Sequence, residues 1–237
     1  MKIAAAAAFA AVLAALSTAS AQQRLERAVE QPILKRSLNW FGYVGGDDIK
    51  EACKPGGRDR MRIVYNALWE EQVRTYEIVL QPDGTAGITF GVLADQGQVA
   101  SLAIGGASDL TNPWKMRKAQ RLLNASETAE LASLLEASAA FGPARDGLRL
   151  PDNDFWWTVV SCRKGIWGFQ AYHHPTDGFA NVKFAEKLFA WDSVPVKVNR
   201  PRKLEPAQFR RDPSANPGRD RSNRWVLVVG KEGLRPR

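Results

Sequence analysis

Two cysteines, two histidines and three methionines are all that this chain of 237 residues holds of the side chains suited to soft metals and thiol chemistry. The two histidines, His173 and His174, are adjacent. On a strand, neighbours point to opposite faces, so this pair does not converge on one ion. No Cys or His stands at ligand spacing from them, and the sequence implies no metal site and no cofactor. The strongly spaced catalytic motifs are also lacking. There is no nucleophile elbow, no phosphate-binding glycine loop, no dinucleotide fingerprint and no metalloprotease helix. Asp152-Asn153-Asp154 lacks the Gly and the distal Glu of a calcium loop. Beyond residue 21 no apolar run is long enough to span a bilayer, so no transmembrane segment is expected after cleavage of the leader described next.

What the sequence does have begins with its first residues. Met1-Lys2 is a short basic start, residues 3–16 are apolar and rich in Ala, and Ala19-x-Ala21 fits the small-residue site of signal peptidase. Residues 1–21 therefore read as a secretory signal peptide, which predicts a periplasmic or secreted protein. Export changes the meaning of the cysteines. In an oxidising compartment an even count predicts one disulfide, Cys53 to Cys162.

The formal net charge of +8 invites a nucleic-acid reading. Its distribution argues otherwise. Residues 197–237 hold 12 Lys+Arg against four Asp+Glu, whereas residues 22–196 hold 20 against 21. A neutral body carries a basic, Pro/Arg-rich C-terminal arm. In an exported protein the expected partner of that arm is an anionic envelope surface or an acidic protein, not nucleic acid, with attraction that weakens as salt rises.

Between these ends the pattern is mostly of period two. Asp47 is placed to cap a short helix that runs to Cys53 and stops at Pro55-Gly56-Gly57. Met61, Ile63, Tyr65 and Ala67 alternate along a first strand. Val73–Leu80 and Ala86–Leu93 form a hairpin across Pro82-Asp83-Gly84. A three-residue loop sets Ile78 opposite Ile88, Tyr76 opposite Phe90, Leu80 opposite Ala86 and Arg74 opposite Val92, so the large apolar residues share one face. Val99–Ile104 reads as a fourth strand. Asn124 and Glu127 form a capping box for a helix with Leu131, Leu134 and Leu135 on its stripe. Phe155–Arg163 and Ile166–His173 form a second hairpin around Lys164-Gly165. Asn181–Trp191 reads as a helix, and the run from Arg224 to Val229 as a last strand that returns to the sheet. The fold class is α+β: a mainly antiparallel sheet, one or two packed helices, and the basic arm.

Few residues offer chemistry. Cys162 and His173 do not form a nucleophile–base pair. In the hairpin register, Cys162 faces Trp167 and His173 lies on the order of 20 Å farther along at strand rise. Asp154 and Asp177 flank the two ends of that hairpin, which makes Asp154, His174 and Asp177 the acid/base candidates. Arg74 falls on the apolar face and needs an acid, with Glu70 or Glu71 near in sequence; anion capture by Arg74 is the sharper alternative. Trp157 and Tyr172 lie with Phe155 opposite the Cys162 face. They are the candidates for a ligand platform, or are core if the hairpin is covered on both sides. The expectation is an exported binding or accessory protein of the bacterial cell envelope without enzymatic activity. The alternative is an envelope hydrolase of unfamiliar type built on the Asp/His neighbourhood.

Overall fold

The computed structural model describes residues 40–94, 116–204 and 225–235. The signal-peptide segment and the expected strand Val99–Ile104 lie outside the described residues. The chain divides into two units, residues 1–43 and 44–237. The described part of the first is residues 40–43, at the start of α1 (Trp40–Gly45), where the rings of Trp40 and Tyr43 stack 5.7 Å apart.

In the second unit, six antiparallel strands run in the order β4-β3-β2-β1-β6-β7: β1 (Arg60–Ala67), β2 (Gln72–Leu80), β3 (Ala86–Ala94), β4 (Arg117–Leu123), β6 (Phe155–Arg163) and β7 (Ile166–His173). The β2–β3 hairpin has the expected register, Ile78 opposite Ile88, Tyr76 opposite Phe90 and Arg74 opposite Val92. Gly84 adopts φ 84°, and Asp83 accepts hydrogen bonds from the Thr85 amide and hydroxyl, which closes the loop. The β6–β7 register is also as expected, Cys162 opposite Trp167. Its turn residues Lys164 and Gly165 both take positive φ, 50° and 77°, as a two-residue turn of matching twist requires.

One face of the sheet packs under α3 (Ala125–Ala137) and α5 (Ala185–Trp191). Its core joins Ile63, Tyr65, Tyr76, Phe90 and Trp157 to Leu131, Leu135 and Leu188. The capping box of α3 is formed: Asn124 Oδ1 accepts from the Glu127 amide at 2.9 Å, and Glu127 accepts from the Asn124 amide at 3.0 Å. Asn124→Ala is expected to lower stability by about 1 kcal/mol, read as a shift of the urea midpoint at unchanged slope.

The opposite face is covered at its β6–β7 end. There α2 (Asp47–Ala52) packs on β6, and a three-stranded sheet of β5 (Arg149–Pro151), β8 (Val226–Gly230) and β9 (Gly233–Leu234) meets β7. Gly46 has φ 70°, and a Cβ there would stand 2.3 Å from Val160 Cγ1, so this close approach needs glycine.

Several expectations are corrected. Asp47 does not cap α2; it is the first helical residue, and the cap position is Gly46, which has no side chain to offer. The helix expected over Asn181–Trp191 shortens to α5, preceded by a single turn, α4 (Asp177–Ala180). The last apolar run does not rejoin the large sheet but pairs with β5 and β9. Strand β4 went unread because its outward residues are Lys118, Gln120 and Leu122 and its inward ones include Arg117 and Arg121, a pattern without apolar alternation.

Candidate functional site

The predicted disulfide is present. Cys53 and Cys162 are bonded across 109 residues with their Cα atoms 5.5 Å apart, and Cys162 is buried. Cys53 closes α2, and the chain that follows rests on the β6–β7 turn. A Cβ on Gly165 would fall 2.4 Å from the Pro55 nitrogen, and the Lys164 amide donates to Asp59 at 2.6 Å.

A second tie runs beside it. Arg62, buried on the same face, donates to both carboxylate oxygens of Asp48 at 2.7 and 2.9 Å and also pairs with Glu77. Burial by itself raises the pKa of Asp48. The hydrogen bonds and charge of Arg62, with the charge of Arg60, outweigh that and hold it below its ordinary value of 3.8. A carboxyl with a lowered folded-state pKa contributes its stabilisation above the unfolded value and loses it as pH falls through the folded value. Acid titration of stability should therefore show a steeper fall below pH 3.8 in the native protein than in Asp48→Asn. Equal slopes would remove Asp48 from the acid response.

Two members of the expected acid/base trio, Asp154 and His174, are not brought together. Asp154 meets His173, not His174: the Nε2–Oδ2 distance is 3.0 Å and both side chains are about one-fifth exposed. His174 turns to the other face, as alternation along β7 requires, and its ring stands edge-on to Phe155 and Phe179 at 6.0 and 5.2 Å. Asp177 opens α4; its side chain lies outside the described residues. Asp154 is further fixed by the Phe155 amide, which donates to its other oxygen at 2.8 Å. The turn that follows β1 docks here through the Leu68 and Trp69 amides, which donate to the Asp154 and Asp152 carbonyls, and Leu68 carries a left-handed φ of 64°. The signal for His173 was in the hairpin register, which sets it opposite Trp156, two residues from Asp154.

Arg74 is a structural ion-pair residue with a different acid. Its partner is Asp192, both side chains being 1% exposed, and its remaining donors go to Gln72 Oε1 and the Val196 carbonyl. The guanidinium fork is filled from within the chain, which removes Arg74 as an anion site. Glu71 pairs instead with Arg202 at 3.0 Å. Glu70 and Glu71 sit in the β1–β2 turn, whereas Arg74 points to the helix face, where the segment after α5 crosses. Gln72 holds the backbone of that segment at the Lys197 carbonyl and the Asn199 amide, and the Tyr65 hydroxyl donates to the Asn199 carbonyl.

The described start of the basic arm is thus docked chain. Arg200 and Arg202 are ion-paired to Glu186 and Glu71, and near the end Arg235 pairs with Asp146. Residues 205–224 lie outside the description.

Trp157 and Tyr172 are each 1% exposed and belong to the core, so neither is a platform. Trp157 stacks on Tyr65 at 4.4 Å, and the Tyr172 hydroxyl donates to the Ser138 carbonyl. Burial pushes the phenols of Tyr65, Tyr76 and Tyr172 above their ordinary value. Among the described residues no group of three or more His, Cys, Asp and Glu is placed to hold a metal, and no helix is long and apolar enough to cross a membrane. Compared with known proteins, the chain matches no family model and no curated relative.

Proposed function

We propose that this chain is an exported accessory protein of the bacterial cell envelope that acts by binding. The observation that carries the reading is the Cys53–Cys162 disulfide, which joins a leader-like N-terminus in one consistent account of an oxidising destination. Two of the acid/base candidates, Asp154 and His174, do not meet, and the candidate anion and platform residues are internal. The partner proposed for the basic region is an anionic envelope surface or an acidic protein, held by charge.

The test is to express the whole chain in a Gram-negative host and weigh the exported protein without reductant. The expected mass lacks residues 1–21 and two hydrogens relative to the dithiol. A full-length chain retained in the cytosol with two free thiols would overturn export. Envelope membranes should retain the exported protein at low salt and release it as salt rises. Hydrolysis stays as a second reading on the Asp154–His173 pair alone. It requires that His173→Ala abolish an activity on envelope material that His174→Ala spares.

A further inference from the structure

We propose that the tip of the β6–β7 hairpin, with the loop tied beside it, is where the protein meets a lipid bilayer of anionic headgroups. This rests on the reading that the chain acts by binding at the envelope, and it names the surface of contact. Ile166 opens β7 and is 73% exposed, more than any other large apolar side chain among the described residues. It stands at the end of the sheet, opposite Arg163 and next to the turn Lys164-Gly165. Against that turn lies the loop after Cys53, in which Lys54, Pro55, Gly56 and Arg58 are exposed. Turn and loop are held as one piece. Cys53 is bonded to Cys162, and Gly165 is pressed on Lys54 and Pro55 with no room for a Cβ. The Lys164 amide donates to Asp59, the neighbour of Arg58. A mount of this kind has little freedom to lose on binding.

Charge selects what the tip meets. Lys54, Arg58 and Lys164 are exposed, and none makes an ion pair among the described residues. The acids nearby are already engaged: Asp59 by the Lys164 amide, Glu136 by Arg163 at 3.4 Å and Glu232 by Lys50 at 3.6 Å. Glu51 has a partner too. In the C-terminal region, by contrast, Arg200, Arg202 and Arg235 are ion-paired within the chain. The register brings the β2–β3 turn to the same end of the sheet, but that turn carries the acid Asp83, which confines the contact to the β6–β7 side. A single exposed apolar side chain is ordinary by itself. Beside three cations without counter-ions it matches a lipid, which offers phosphate to the ammonium and guanidinium groups and an acyl boundary to the isoleucine.

The exported protein is sedimented with vesicles of phosphatidylglycerol and, separately, of phosphatidylcholine. Retention is expected on the first alone, falling as salt rises. Each cation near an anionic leaflet changes partition about fivefold. Lys54→Gln with Lys164→Asn should therefore weaken retention at least tenfold, asparagine being chosen because Lys164 has φ 50°. Ile166→Ser should weaken it several-fold, and all variants should keep the circular dichroism spectrum of the native protein. Leu122→Ser, at the other exposed large apolar residue, should change nothing. Equal retention on both vesicles, full retention of the lysine variant, or an equal loss in Leu122→Ser would overturn the assignment. So would envelope membranes that retain the protein only until they are treated with protease, which would make the partner an acidic protein. If vesicles fail while envelope membranes still hold the protein, the tip assignment falls and the binding function stands; if neither holds it, both fall.

Discussion

Serine at both Cys53 and Cys162 is expected to lower the stability of the folded protein by about 4–5 kcal/mol, the chain-entropy value for a loop on the order of 100 residues. Domains of this kind have in all about 5–15 kcal/mol, so this loss brings the folded state near its limit. The bond spans 109 residues, and the closed loop contains β1 to β5, α3 and most of β6. Opening it gives that freedom back to the unfolded chain. The folded chain keeps other ties at the same place, namely the Arg62–Asp48 pair, the Lys164–Asp59 hydrogen bond and the seating of Pro55 on Gly165. The double-serine protein is therefore expected to fold, with its urea midpoint lowered by that loss divided by the slope of the transition. Reductant should move the native protein to the same midpoint and leave the variant unmoved. A midpoint that reductant does not shift would mean that the cross-link adds nothing to the folded state.

The second large effect is at Arg74. Replacing it with Met strands the Asp192 carboxylate in the interior and should cost about 3–5 kcal/mol. Asp192→Leu alone strands the guanidinium and should cost a similar amount. The double variant Arg74→Met with Asp192→Leu is expected to recover most of the loss, because no buried charge is then left without a partner. Urea unfolding of the four proteins closes the cycle, and additive losses would show that the two charges do not interact. Arg74 also holds Gln72 and the Val196 carbonyl, so the single variant should loosen the segment from Val196 to Asn199. Amide exchange at Asn199, whose N–H donates to Gln72, reads this directly.

Much of the sheet was legible because bulky apolar residues permit one register only. A one-residue slip in β2–β3 would have put Ile78 opposite Thr89, so the side chains decided the loop. The same held for β6–β7, where Lys164-Gly165 marks the turn, and for α3, where Asn124 and Glu127 announce its start. The disulfide was legible from count and compartment together. β4 was not, since four of its seven residues are Arg, Lys and Gln and the strand exists only because β3 offers an edge. Nor was Asp192 as the acid for Arg74, 118 residues away, because sequence proximity favoured Glu70 and Glu71 while packing decided the pair. His174 was chosen over His173 where alternation along β7 gives Asp154 the latter. Trp157 and Tyr172 could be either platform or core from the sequence, and α3, α5 and the start of the basic region, which cover that face, make them core.

The central place of β1 has a consequence in time. One of its neighbours, β2, follows within five residues, but the other, β6, begins at Phe155, 88 residues after β1 ends at Ala67. During synthesis at about 5–20 residues per second, the outer side of β1 waits roughly 4–18 s for its partner. A β1–β3 meander formed in that interval would have its future middle still as a rim, open to the wrong strand. A longer delay, roughly 5–22 s at the same rate, separates Cys53 from Cys162, 109 residues on, so the first thiol must be guarded until the last third of the chain arrives.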